Sequence, residues 1–373
     1  MNIAKRILLA AVLAVSAFGS AAQSKGNPIL IGQTSIQTGP IAGLSTDPLI
    51  GIKALLNKVN AAGGVHGRSI DILQADDAYD SQRAAANVKR FAEAGAVAIL
   101  MPIGTNAAVG ALKAATDAKI PLVGPYSGAP SVAKSSPYLF PARIGYDEEY
   151  SRIVNHLFTI GIRRIAFAYA DNPGARYSME VTRRFIEERG EKMASSVAIQ
   201  LDGSDAALRA QELAASRPSA VILSVSNEIA AKFVPAYRAT GASTAFYSFS
   251  FLNGGLLHKA IGADAAGVVI SQVVPFPWGR NLPLLAEYQE AMKKIGAADL
   301  SYGSLEGYLN AKILVEAIRG AGAQPTPEAV RKALESFANL DLGGIYVRYA
   351  PNAHLGLGYS ELTQINRDGR YTR

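Results

Sequence analysis

The chain has 373 residues, of which 49% are hydrophobic and 18% charged, with no cysteine and a formal net charge of +7. At roughly 150 residues per domain, this length and composition predict two globular domains that can bury their cores without covalent staples, and exclude a disordered or low-complexity chain. The absence of cysteine excludes a disulfide framework, thiolate-bound zinc, iron–sulfur clusters, a thiol nucleophile and a lipid-modified amino-terminal Cys.

In chain order, Lys5 and Arg6 lead into an almost wholly apolar run from Ile7 to Phe18, followed by Ser20-Ala21-Ala22. A spanning helix needs roughly 20 apolar residues, so this shorter run with a small-residue exit reads as a secretory signal peptide over 1–22, cleaved after Ala22. Its removal takes Lys and Arg from 37 to 35 against 30 Asp and Glu, a mature charge of +5. The cation pairs Arg163-Arg164, Arg183-Arg184 and Lys293-Lys294 are scattered rather than aligned in a stripe, so no nucleic-acid partner is expected. No second long apolar run follows, and the mature chain is expected to be soluble.

From Ile29 onward, short β-rich runs alternate with amphipathic stretches. The first series predicts strands at Ile29–Gln33, Ser69–Ala75, Val97–Met101 and Ile120–Val123, with helices at Pro48–Asn60, Ser81–Ala94 and Asn106–Ala118. Gly63-Gly64 stands where a helix C-cap belongs. A second series starts after Arg143, with helices at Glu148–Thr159, Arg176–Arg189, Asp205–Ser216 and Glu228–Thr240. Its strands are expected at Arg164–Tyr169, Ala194–Gln200, Ala220–Val225, Thr244–Phe249 and Val268–Val274. Three helices follow, Leu282–Ile295, Ser301–Arg319 and Pro327–Ser336, the last with Thr326 as N-cap and Pro327 in its first turn. The tail from Ile345 reads as short strands, with Asn366-Arg367-Asp368-Gly369 as a hairpin turn. Strands alternating with helices of this length predict an α/β architecture of doubly wound parallel sheets covered by helices. No flexible linker separates the two series, which implies a defined hinge.

Enzyme signatures are missing: no Gly-x-Gly-x-x-Gly, Walker lysine loop, Gly-x-Ser-x-Gly elbow or His-Glu-x-x-His occurs. His66, His156, His258 and His354 have no partner at metal-ligand spacing, and Asp76-Asp77 reads as a loop cap. No catalytic residue, metal or cofactor is therefore expected. What the chain does offer is small polar groups at the carboxyl ends of strands, the edge where open α/β sheets bind ligands. In Pro102-Ile103-Gly104-Thr105-Asn106, the Thr105 and Asn106 side chains either cap the next helix or, with its free amides, hold a carboxylate. In Gly124-Pro125-Tyr126-Ser127-Gly128-Ala129-Pro130, Tyr126 and Ser127 line either a plain turn or a pocket. From the second series come Asp171 to Tyr177, Ser226-Asn227-Glu228 and Phe249-Ser250-Phe251, aromatic walls with a few polar groups.

Thr38-Gly39-Pro40-Ile41-Ala42, Gly51, Val59 through Arg68 and Asp76-Asp77 resemble the start of the leucine/isoleucine/valine-type periplasmic solute-binding proteins. The resemblance recurs at Ile120-Pro121-Leu122-Val123, Arg164-Ile165-Ala166, Gly303 to Tyr308 and Gly343-Gly344, and so covers nearly the whole mature chain. It implies a type I periplasmic binding protein with two lobes joined by a three-segment hinge. The amino-terminal lobe would span 27–143 plus 276–345 and the carboxyl-terminal lobe 144–275 plus 346–373. It also implies a monomer in the periplasm that captures a small solute between its lobes and delivers it to the membrane permease of an ABC importer. A ligand-sensing receptor domain for a membrane signalling protein is the alternative role.

By the same resemblance, the loops containing Thr105-Asn106 and Ser127 hold the ligand carboxylate, Leu44 takes the place of a wall residue, and Tyr177 stands near a tyrosine that closes on the ligand. Another family tyrosine falls at Ser226 or Asn227. Where amino-acid binders place an acid for the α-ammonium, this chain has Ser250. A buried ammonium without a counter-charge is unfavourable. Either Asp171 or Glu228 replaces the acid, or the ligand lacks an amine.

Overall fold

The computed structural model describes residues 26–39, 41–132, 136–297 and 299–373; the expected signal peptide and Pro40 lie outside them. The chain begins with β1 (Ile29–Ser35), α1 (Thr46–Ala61), β2 (Ile70–Asp76), α2 (Ser81–Glu93), β3 (Ile99–Leu100), α3 (Thr105–Asp117), β4 (Leu122–Val123) and β5 (Leu139–Phe140). These strands form one parallel sheet in the order β2-β1-β3-β4-β5. There follow α4 (Tyr146–Thr159), β6 (Ile165–Ala170), α5 (Pro173–Glu187), β7 (Ser195–Ile199), α6 (Ala206–Ala215), β8 (Ala220–Ser224), α7 (Asn227–Arg238), β9 (Ala245–Ser248), α8 (Gly254–Ile261) and β10 (Val269–Gln272). Then come α9 (Pro283–Lys294), α10 (Tyr302–Gly320), α11 (Pro327–Glu335), β11 (Leu340–Asp341), β12 (Tyr346–Ala350), β13 (Ala353–Gly356), β14 (Glu361–Ile365) and β15 (Tyr371–Thr372). The second sheet runs β15-β14-β10-β9-β8-β6-β7, and its parallel part repeats the strand order of the first.

Local chemistry explains these elements. Ile-Ala-Phe-Ala-Tyr-Ala in β6 is buried at every position, as a parallel strand covered on both faces must be. Asp80 caps α2 by accepting from the Arg83 amide at 2.7 Å, and Ala84, Val88 and Phe91 form the buried stripe of that helix. Thr326 caps α11 by accepting from Ala329, with Pro327 in the first turn. The expected tail hairpin joins β14 to β15, where Asn366 Oδ1 accepts from the Asp368 and Arg370 amides.

Each sheet sits in its own core. One gathers β6, β8 and β9 with α4 and α7; the other packs β1 and β3 against α1, α9 and the nearly wholly buried α10. Two glycines let α10 approach α1: a Cβ on Gly51 would lie 1.8 Å from the Ser304 carbonyl oxygen, and one on Gly307 2.1 Å from that of Pro48.

Four sequence expectations change. The α8 helix, β5 and β11 are additions, α8 starting on two glycines and each of the strands being only two residues long. Residues 346–356, expected in the carboxyl-terminal lobe, pack on the first: Val347 and Tyr349 are buried in its core, and the Tyr349 hydroxyl donates to the Pro141 carbonyl at 2.9 Å. The chain rejoins the second sheet only at β14, because β12 and β13 pair with β11 rather than with β10.

Candidate functional site

The carboxyl ends of β3 and β4 are clamped side by side: the Tyr126 amide donates to the Pro102 carbonyl at 2.9 Å and the Gly104 amide to the Tyr126 carbonyl at 3.3 Å. Gly104 has φ +84°, and a Cβ there would lie 2.6 Å from the Tyr79 ring, so only glycine lets the turn and that ring coexist. The clamp brings the Thr105 and Ser127 hydroxyls to 2.9 Å of each other. Ser127 is buried and also accepts from the Ala129 amide at 3.2 Å. The Tyr79 ring lies against Gly104 at the start of α3, where the sequence reading placed a ligand carboxylate. The Tyr146 amide, at the start of α4, donates to the Gly128 carbonyl at 2.8 Å, one residue from Ser127.

A buried charge cluster lies beside these hydroxyls. Arg143, between β5 and α4, stacks its guanidinium 5.6 Å from the Tyr126 ring centroid and 5.5 Å from that of Tyr146. It faces Glu149 of α4 at 3.4 Å and Glu306 of α10 at 3.5 Å, and contacts the Ser250 hydroxyl. Ser250, two residues after β9, donates to Glu149 from its amide at 2.9 Å and from its hydroxyl at 2.8 Å. Phe249 closes the far side, edge-on to Tyr146 at 4.7 Å.

Burial pushes the Glu306 carboxyl up to about 7; Arg143 opposes that shift and Glu149 adds to it. The Glu149 carboxyl is also raised by burial, against the pull of Arg143 and Ser250. For Arg143, burial works against the charge but is outweighed by Glu306, Tyr146 and Glu149, so the guanidinium stays cationic. Among the described residues, Arg143 Nε and Glu306 Oε1 are buried without a hydrogen-bond partner.

Thr105, Tyr126, Ser127 and Ser250 thus converge around Arg143 and Tyr146. The remaining sequence candidates lie outside this contact network. Leu44 is half-buried in a short 3-10 turn and Asn106 is exposed. Tyr177, also exposed, donates to Asp147 at 2.9 Å, one residue from Tyr146. Asn227 ties two loops together, donating to the Asn253 carbonyl at 2.7 Å and accepting from its amide at 3.1 Å, while Glu228 is exposed in the first turn of α7. Asp171 pairs with Arg176 at 2.8 Å on the surface.

Ser250 thus donates to a buried acid, Glu149, which the sequence reading did not single out. Sequence reasoning missed Arg143, Tyr146, Glu149 and Glu306, although Glu149 sits among Tyr146, Tyr150 and Ile153 on one helical face, and a charge on an apolar stripe is a readable signal. Asp76 does cap a loop, accepting from the Gln37 and Ala78 amides and the Thr38 hydroxyl. No group of three or more potential metal ligands occurs among the described residues. A concavity of about 630 Å³, lined by Gln211, Arg217, Ser219 and Thr244, opens at the amino ends of β8 and β9, the opposite edge of that sheet.

A family model described as periplasmic binding protein matches residues 28–370. A Leu/Ile/Val-binding protein homolog from Brucella melitensis is 22% identical over 328 residues, 87% of this chain and 86% of the relative. A crystal structure of an extracellular ligand-binding receptor from Verminephrobacter eiseniae superposes with a TM-score of 0.86 at 27% identity, covering 93% of this chain and all of that one. A substrate-binding periplasmic protein from Ralstonia solanacearum gives 0.83 at 28% identity, over 92% of this chain and 99% of the other.

Proposed function

This chain belongs to the periplasmic binding protein family, and on that premise we propose that it is a periplasmic receptor that captures a small carboxylate-bearing solute between its lobes and delivers it to the membrane permease of an ABC importer. The family is one of binding proteins rather than enzymes. The observation that carries the reading is the pair of hydroxyls, Thr105 and Ser127, held 2.9 Å apart at the carboxyl edge of the first sheet. Each hydroxyl has one proton; one of them donates within the pair and can turn to a ligand oxygen, while the other is free of the pair already. Asn106 adds a donor, Leu44 and Tyr126 form walls, and the second lobe brings Ser250, Tyr177, Asn227 and Glu228 from the other side.

A thermal-shift screen of amino acids and amine-free acids tests this, because a ligand at a hundred times its dissociation constant stabilises a protein by about 2.7 kcal/mol. Thr105→Ala and Ser127→Ala are each expected to weaken binding of the best acid by about 1 to 3 kcal/mol, with little change in the unliganded melting temperature. Calorimetric affinities equal to that of the unmodified protein would remove these loops from the site.

A further inference from the structure

Arg143 keeps one donor unused in the candidate site, although its other guanidinium nitrogens contact Glu149, Glu306 and the Ser250 hydroxyl. Its side chain is 3% exposed, yet its two carboxylate contacts are 3.4 and 3.5 Å long, beyond the 2.7–2.9 Å of a good charge-assisted bond, and its Nε–H has no partner among the described residues. A guanidinium presents five donors in a fixed fork, and a carboxylate offers two oxygens that match it. Glu149 is different: Ser250 donates to it twice, through the amide and the hydroxyl, so its oxygens are committed to the loop after β9. The Tyr126 and Tyr146 rings stack on the guanidinium, and the Tyr146 amide donates to the carbonyl of Gly128, the neighbour of Ser127, which bonds Thr105. The cation and the paired hydroxyls thus lie on adjoining segments, joined through Tyr126 and Tyr146.

We propose that Arg143 sets the ligand class, acting as the cationic partner of an amine-free carboxylate and disfavouring an α-ammonium at the same position. This rests on the small-carboxylate reading above. An ammonium drawn toward Glu149 meets a desolvated like charge within a few ångströms and finds the acid already bonded. A carboxylate that reaches Arg143 finds a buried Nε–H without a partner among the described residues, and shares the cation with Glu149 and Glu306. Glu306, whose carboxyl burial lifts to about 7, holds its proton in a share of molecules at neutral pH and in that form adds a donor.

The test is calorimetry on the unmodified mature protein with two matched pairs, leucine against 4-methylpentanoate and phenylalanine against 3-phenylpropanoate. In any pair that binds, the amine-free acid is expected to bind at least about tenfold more tightly, a difference of roughly 1.4 kcal/mol. Tighter binding of the amino acid overturns the inference and leaves the receptor reading standing. No binding by any of the four overturns the small-carboxylate reading itself, and the inference with it. Arg143→Met is expected to abolish the preference within a pair, whereas a merely structural arginine would weaken both members alike; an unchanged ratio overturns the inference. Should that variant not fold, the pair measured on the unmodified protein decides alone.

Discussion

A carboxyl group that stays protonated near neutrality gives a protein a measurable pH slope, and Glu306 is such a group. Burial raises its value from 4.5 to about 7 in the folded state, although Arg143 opposes the shift. Between those values the folded protein holds a proton that the unfolded chain has released, so stability falls as pH rises through the window and stays low above it. At about 1.4 kcal/mol per unit the loss is on the order of 3 kcal/mol. Glu306→Gln is therefore expected to flatten the decline and to be more stable than the unmodified protein at pH 8, while matching it near pH 5. Urea denaturation at the two pH values reads this directly; a variant weaker at pH 8 would mean that pairing with Arg143 outweighs burial. Asp76 acts in the other direction. The Thr38 hydroxyl and the Gln37 and Ala78 amides lower its carboxyl, so the stability it contributes is present above the ordinary aspartate range and is lost as pH falls through its depressed value. The sequence shows Glu149 and Glu306 as charges on apolar faces, but it does not show that they meet. Residues 143, 149, 250 and 306 converge only through the crossing of two sheets and α10, and no local pattern encodes that crossing.

At the scale of elements, the α1–α10 contact fixes where Glu306 stands. Gly51 and Gly307 belong to segments whose family resemblance is readable from sequence, and the structure supplies the physical reason: two helices cross with backbone against backbone. A methyl group at Gly51 would overlap the Ser304 carbonyl, which as helix backbone cannot move aside alone. Gly51→Ala is expected to destabilise by at least ~2 kcal/mol, as overpacking in a rigid core does, and to weaken ligand binding because α10 carries Glu306. Gly174, exposed in the first turn of α5 without positive φ, is the control: alanine there should fall within ~0.5 kcal/mol of the unmodified protein. Thermal unfolding of both variants checks the pair, and equal melting temperatures would mean that the helices can part without loss. The same scale explains what was legible. Long periodic helices and fully apolar strands were readable because their patterns are strong. The α8 helix was hidden by the glycines that open it, and β5 by its two-residue length.

At the scale of the whole molecule, two sheets carry the same strand order, and the chain passes between them three times, near residues 143–146, 273–282 and 357–361. The alternation of strands and helices made this duplication readable. The assignment of residues 346–356 was not, since short strands with alternating exposure fit either lobe and only the burial of Val347 and Tyr349 decides it. Beside the second crossing, an aromatic cluster spans the lobes. Trp278 stacks on Tyr371 of β15 at 5.6 Å and meets Tyr302 of α10 edge-on at 5.8 Å, while the Tyr302 hydroxyl donates to Glu361 of β14 at 3.3 Å. Rotation of one lobe about the crossings, the usual form of closure around a ligand, must shear this cluster because its members are divided between the two bodies. The chain has one tryptophan, so its fluorescence reports that cluster alone. Saturating ligand is therefore expected to change the Trp278 emission and to reduce the radius of gyration in small-angle scattering, with the same ligand concentration at both midpoints. Compaction without an emission change would place the hinge away from Trp278. An unchanged radius at saturation would mean that the lobes do not close, and that the ligand is held by the edge of one sheet only.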